Sequence, residues 1–379
     1  MLHVESFLDG FMSAVILMAS LHGLLLALIL FFNKRLRSRS NRYLAFAIFS
    51  ASVVLCLEIV YYFDIEHRLP EVIQYAPIYW RTAVPVGIFY FVSFLIDPKH
   101  SLNRVEKLGF VFIGLEIFTE LLYIPVNLFL DDAGIAIGEE ILVSIEQLIG
   151  LVACFWFFWL ALKKVKSYQK YLYDHYSTTT GKSLAWLQSF LWMNLLISSI
   201  WLTSYLLYFL GFYEASEFAY FLVTMGLAIF SFFIGYFLIL QYNWFQVVPV
   251  EPETEYELQK NKLSTKTDAY YQNLMTLMED EKLYTDVELT LQNLSERLGI
   301  SPGYLSRIIN EKEHKNFFEF VNAYRIQEVK EKLVDEEYGH YSILGIALES
   351  GFKSKSTFNT VFKKLTGQTP SAYQKQFTT

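Results

Sequence analysis

Seven long apolar runs fill residues 1–245 of this chain, and they constrain its fold more than any other feature. A helix rises about 1.5 Å per residue, so about 20 apolar residues cross a hydrocarbon layer about 30 Å thick. Only helices and closed barrels satisfy their backbone polar groups there without water. The runs cover 7–32, 43–63, 72–96, 108–130, 140–162, 185–210 and 218–240. They predict a seven-helix transmembrane bundle. No basic segment precedes the first run, which therefore reads as a spanning helix rather than a cleavable leader. Apolar residues make up 54% of the sequence, and the excess over an ordinary soluble chain sits in these runs.

The loops between the runs alternate in charge. Lys34, Arg35, Arg37, Arg39 and Arg42 crowd the first loop, and Lys99, Arg104 and Lys107 the third. Lys163, Lys164, Lys166, Lys170 and Lys182 lie in the fifth. The intervening loops hold one basic residue, Arg68, beside Asp64, Glu66, Glu71, Asp131, Asp132, Glu139, Glu214 and Glu217. Cytoplasmic loops retain Lys and Arg, so the N-terminus is expected outside and the C-terminus in the cytoplasm. An odd number of spans puts the two ends on opposite sides, which agrees.

Glu58, Arg81, Glu116, Glu120 and Glu146 interrupt the apolar runs. Ionisable groups are costly in hydrocarbon and turn toward a bundle interior, a partner or water. In this topology Glu58, Arg81, Glu120 and Glu146 fall in the outer half of the membrane. They are the expected signal site, a pocket open to the outside. Pro77 and Pro85 flank Arg81 and are expected to bend its helix. The competing reading is an Arg–Glu pair that only fixes helix packing. His22 and Asn194 are expected to bond neighbouring helices. Cys56 and Cys154 lie inside apolar runs and build neither a disulfide framework nor a zinc site. The seven histidines form no i, i+4 pair. No metal or cofactor is expected.

Composition changes at 246–266, where Val247-Val-Pro-Val-Glu-Pro-Glu-Thr-Glu255 places two prolines among acids and reads as an extended linker. Residues 267–379 then form a second, all-helical domain. Tyr270, Leu274, Leu277 and Met278 make an apolar stripe, expected to pack on this same domain. Residues 289–310 follow a helix-turn-helix pattern. Thr290 caps a helix that turns Leu291, Leu294 and Leu298 inward; Gly299 ends it and Ile300 plugs the turn. Ser301 and Pro302 open a second helix, which buries Leu305, Ile308 and Ile309. Residues 342–367 repeat the pattern. Ile343, Ile346 and Ala347 turn inward, Gly351 makes the turn, Phe352 plugs it, and Ser354 caps a helix burying Phe358, Val361 and Phe362.

In this tandem arrangement, residues 282–379 resemble the AraC/XylS family of bacterial transcription regulators. The run Gly351-Phe-Lys-Ser-Lys-Ser-Thr-Phe-Asn-Thr-Val-Phe-Lys-Lys-Leu-Thr-Gly-Gln-Thr-Pro-Ser-Ala-Tyr373 matches the family signature nearly end to end. Ser301-Pro-Gly-Tyr-Leu-Ser-Arg307 and Asn322-Ala-Tyr-Arg325 match its first unit. The apolar half resembles, more loosely, that of membrane-bound members with several spans. The resemblance implies two recognition helices in successive major-groove segments, joined by a long helix over 317–334. Carried over by position, Gly303, Ser306, Arg307 and Asn310 face DNA in the first unit. Lys355, Ser356, Asn359 and Thr360 do so in the second, with Lys363 and Lys364 on phosphate. Arg307 suits guanine and Asn359 adenine. Glu311 and Glu313 after the first recognition helix, and Asn310 in place of a basic residue, depart from the family pattern.

Bulk charge does not recommend DNA. The net charge is −7, and from Lys282 onward thirteen basic residues meet twelve acidic ones. No G-x-G-x-x-G or G-x-x-x-x-G-K loop follows residue 250, which argues against a kinase or cyclase; no enzyme is expected. The alternative is a membrane receptor or transporter whose C-terminal domain is a protein-interaction module. Against it, no acid follows Glu349. The expected protein is therefore a multi-pass regulator of the bacterial cytoplasmic (inner) membrane. It binds promoter double-stranded DNA in response to a small-molecule or membrane signal, passed from the seventh span through the linker. The lipid bilayer and RNA polymerase are its further expected partners, and a homodimer is left open.

Overall fold

A computed structural model describes residues 2–34, 36–62, 80–129, 132–180, 182–241 and 267–377. The expected linker at 246–266, Pro77 and the start of the third expected span lie outside the described residues. The chain divides into two compact units, Met1–Lys166 with Leu184–Pro249, and Ser167–Ser183 with Val250–Thr379. The described residues of both are helical apart from turns and one isolated bridge.

The first unit contains α1 (Leu2–Phe32), α2 (Arg39–Tyr62), α3 (Ala83–Ile96), α4 (Leu108–Leu121) and α5 (Tyr123–Phe129). It continues with α6 (Asp132–His175), whose end enters the second unit, then α7 (Ala185–Phe209) and α8 (Tyr213–Gln241). Among the described residues six helices are long and apolar enough to cross a membrane: Met12–Phe32, Arg39–Val60, Leu108–Val126, Ile137–His175, Ala185–Phe209 and Tyr213–Tyr236. The third expected span, 72–96, is represented among the described residues by α3, which has 14 residues and is about 21 Å long. Arg81 lies in the turn before α3 and not within a helix. Pro85 falls in the first turn, where its missing N–H removes no helical bond, so no bend is needed.

Small residues let these helices approach one another. α1 packs on α2 and α8, α2 on α3, and α7 on α8. A Cβ on Gly23 would collide with the Ser52 hydroxyl, and one on Gly235 with the His22 ring. Ser20 Oγ donates to Ser52 O at 2.9 Å, and Ser231 Oγ to Ala19 O at 2.9 Å. Such bonds bind helices where apolar burial supplies no drive. His22 Nδ1 lies 3.4 Å from Ser231 Oγ on another helix, as expected. Asn194 instead donates to Phe190 O of its own helix at 2.9 Å.

The second unit holds α9 (Thr267–Glu279), α10 (Leu291–Leu298), α11 (Pro302–Glu313), α12 (Phe317–Val334), α13 (Ile343–Glu349), α14 (Lys355–Thr366) and α15 (Pro370–Lys375). Two cores form along α12. Its first half, Phe317, Phe320 and Val321, packs with Leu274, Met278, Leu291, Leu294, Leu305 and Ile309. Its second half, Ile326, Val329 and Leu333, packs with Ile346, Ala347, Phe352, Phe358 and Phe362. Full burial of each such side chain stabilises by about 1.5–3 kcal/mol. The stripe on α9 is therefore core of this unit.

Candidate nucleic-acid interface

Each helical pair is fixed by its caps. Thr290 Oγ1 accepts from Asn293 N at 3.1 Å and opens α10, and Gly299 closes it at φ 65°. Ser301 Oγ accepts from Tyr304 N at 3.3 Å, with Pro302 first in α11. In the second pair Ser342 caps α13 and Ser354 caps α14, their hydroxyls accepting from Gly345 N at 3.0 Å and Thr357 N at 3.2 Å. Gly351 turns the chain at φ 94°. A Cβ there would meet Tyr284 O at 2.5 Å, so both conformation and space demand glycine. Phe352 is buried behind that turn, as Ile300 partly is behind the first.

The caps aim the outer faces of α11 and α14. On α11, Gly303 and Asn310 are exposed, and Ser306 and Arg307 half-buried. The Arg307 guanidinium stands 4.9 Å from the Tyr304 ring centre, with Nε 3.7 Å from Glu311 Oε1. On α14, Lys355, Ser356, Asn359, Thr360, Lys363 and Lys364 are all exposed. Lys364 pairs with Glu319 at 2.7 Å and holds that carboxyl below its usual range. Of the two acids that depart from the family pattern, Glu313 accepts from the Tyr271 hydroxyl and pairs with Lys315 at 3.0 Å. Its charge is engaged within the unit.

From the sequence, Arg325 figures only as part of the family match, with no role of its own. Its side chain is fully buried at 0% exposure. Nε donates to Tyr284 O at 2.7 Å and Nη2 to Asp286 O at 2.7 Å. Nη1 donates to Ser177 O at 3.2 Å, and Nη2 also to Ser177 Oγ at 3.1 Å. Burial lowers its pKa to about 10 against the opposing pull of Asp286 and Glu288, so it stays charged at neutral pH. One signal was available: Val321, Arg325 and Val329 recur every fourth residue, which places Arg325 on the inward face of α12.

The four charges expected at a signal site are partly brought together. Arg81 lines a cavity of the first unit with Asn194, Ser198, Trp201 and Tyr220. Glu58 reaches its wall, accepting from Tyr220 Oη at 2.5 Å. Glu120 and Glu146 are buried but do not line it. The Arg81 charge acts on Glu146 and on Glu116. Glu116 holds a helix end in place. Its carboxylate accepts from Thr82 N at 3.0 Å and from the Thr82 hydroxyl, capping α3.

A helix-turn-helix domain family matches residues 294–376. The HTH-type transcriptional regulator YtdP of Bacillus subtilis (strain 168) is 30% identical over 135 residues. An HTH-type transcriptional regulator of Staphylococcus aureus (strain COL) is 34% identical over 113 residues. These matches cover 35% and 28% of this chain but only 16% and 15% of the two relatives. Among solved structures, the C-terminal domain of AraT, a response regulator from Geobacillus stearothermophilus, is 28% identical. The match covers 31% of this chain and 88% of that one, with a TM-score of 0.25. The C-terminal part of this chain is an AraC-type helix-turn-helix domain of the kind carried by DNA-binding transcription regulators.

Proposed function

We propose that this chain is a membrane-anchored, signal-responsive transcription regulator that reads promoter DNA with two helix-turn-helix units. One observation carries the reading. α11 and α14 each bury an aliphatic or aromatic face in a separate core on the shared α12, and each turns a polar face outward. Gly303, Ser306, Arg307 and Asn310 meet DNA from the first unit. Lys355, Ser356, Asn359 and Thr360 meet base edges from the second, where Lys363 and Lys364 contact phosphate. Base-edge groups specify sequence, and phosphate contacts set register.

Membrane anchoring is supported by the surface of the first unit. Leu17, Leu21, Leu25 and Leu28 of α1 are between 44% and 59% exposed. A continuous apolar face of this kind calls for lipid or protein cover. The basic loops favour a cytoplasmic DNA-binding unit. The cavity at Arg81 is the proposed signal site. Immunoprecipitation of the tagged full-length chain, followed by sequencing of the bound DNA, tests the central claim. Promoter fragments should be enriched, sharing a two-part site whose halves lie about one helical turn, or about 10 bp, apart. Recovery equal to an untagged control would refute it.

A further inference from the structure

The second unit contains a segment that the sequence assigns to a loop between spans. Residues 167–183 belong to it, and they include the last turns of α6 and the residues that follow it from Tyr176. Tyr176 forms an antiparallel bridge with Thr290, the N-cap of α10. Ser177 N–H and Oγ both donate to Leu289 O, at 3.3 and 2.6 Å. Thr178 Oγ1 donates to Val287 O at 3.0 Å. Ser177 and Thr178 are 1% and 4% exposed. Two side chains of α12 hold Ser177 O: Asn322 Nδ2 at 3.0 Å and Arg325 Nη1 at 3.2 Å. Three residues later, Thr180 Oγ1 lies 2.8 Å from Thr357 Oγ1 and 3.4 Å from Ser354 Oγ, in the first turn of α14.

This strap thus touches the entry to the first helical pair and the start of the second recognition helix. Docking leaves the proposed reading face open, because Lys355, Ser356, Asn359 and Thr360 stay exposed while Thr180 occupies the half-buried Ser354–Thr357 side. Undocking would strip a buried guanidinium of its Ser177 partners, which is costly in a low-dielectric interior. The docked state is therefore the favoured one, and such a strap acts through small shifts of its docking equilibrium. It also continues directly from α6, a single helix of 44 residues that includes one of the six apolar spans.

We propose that residues 176–180 are the coupling strap of the DNA-binding unit: the docked strap belongs to the DNA-reading conformation, and α6 tunes promoter affinity by shifting its docking equilibrium. The proposal rests on the DNA-reading function above. It provides a route for the signal besides the one from the last span through 246–266. Linkage supplies a test that needs no knowledge of the signal: if strap docking favours DNA binding, DNA must favour strap docking by the same factor.

The experiment uses the full chain in lipid nanodiscs, a promoter fragment recovered by immunoprecipitation, and random DNA of equal length. Hydrogen exchange of the Ser177 amide should slow about tenfold with the promoter fragment and remain unchanged with random DNA. A T178V/T180V variant should bind the promoter about tenfold more weakly and random DNA as before. Thr180→Val alone removes a half-buried hydroxyl without touching the Arg325 network, and should act in the same direction if the double variant misfolds. Unchanged or faster strap exchange with promoter DNA would overturn the proposal, as would wild-type promoter affinity in Thr180→Val. A wild-type chain that prefers no promoter over random DNA removes the DNA-reading function itself, and this inference with it.

Discussion

Replacing Arg325 by Met keeps the apolar stem and deletes the guanidinium. The cost follows from what each acceptor loses. Asp286 O retains the Leu289 amide, and Ser177 O retains Asn322. Among the described residues Tyr284 O has no other donor. One orphaned buried carbonyl costs about 1–3 kcal/mol, and each lost charge-assisted hydrogen bond contributes about 1.5–3 kcal/mol before repacking offsets part of it. Breaking a buried charged network typically costs about 3–5 kcal/mol, so about 3 kcal/mol is expected here. Since about 1.4 kcal/mol is tenfold in an equilibrium, amides of Ile326 and Val329 in α12 should exchange about a hundredfold faster. The assay is hydrogen exchange by mass spectrometry on the full chain, with α1 and α2 as internal controls that should not change. Arg325→Lys should recover little, because an ammonium cannot reach the same acceptors as a planar fork. Acceleration of about twofold or less in α12 would refute the reasoning, since the guanidinium would then add nothing beyond the packing of its stem.

Arg307→Ala and Asn359→Ala should each cost about 1–3 kcal/mol at the specific site, whereas Lys363→Ala should weaken specific and random DNA alike and flatten the salt dependence. Equal losses on all sequences for all three variants, read by titration, would abolish the division into base and phosphate contacts. Arg81→Gln should keep membrane level and promoter binding but lose the response of target genes to growth conditions; failure to accumulate would make Arg81 a packing residue. Burial raises the Glu328 pKa, but hydrogen bonds from Tyr284, Lys332 and Lys282 outweigh it and bring it to about 2. Its folded-state value is depressed, so its stabilisation is fully present above the usual carboxylate value of about 4.3 and is lost as pH falls through about 2. Denaturation of the second unit between about pH 5 and about pH 2 should show this acid limb, and Glu328→Gln should flatten it. Reporter fusions after Lys166 should report cytoplasm and fusions within 131–139 the outside; reversed signs would overturn the proposed topology.

Features that depend on neighbours in the chain were legible without a structure. Apolar runs of about 20 residues specify helices by length and composition. Thr290, Gly299, Ser301, Pro302 and Ser354 each act within four residues, so both ends of α10 and the starts of α11 and α14 could be read in advance. α12 spans Phe317–Val334, the range expected for it. At Pro85 the bend expected beside Arg81 is not required, because Pro85 lies in the first turn of α3 and does not interrupt a helix.

Tertiary structure decided the rest, where partners lie far apart in sequence. Arg325 meets Ser177 across 148 positions and Thr180 meets Thr357 across 177, and no local periodicity encodes either pairing. Arg81 joins a cavity with Asn194 and Tyr220 only because α2, α3, α6, α7 and α8 enclose it, and Glu120 and Glu146, at similar apparent depth, do not line it. Local sequence sets which residues turn inward, since capping and amphipathic periodicity act over one or two turns. It cannot set which inward residues meet, because that depends on the packing of whole helices, where close fit and the satisfaction of every buried polar group select one arrangement.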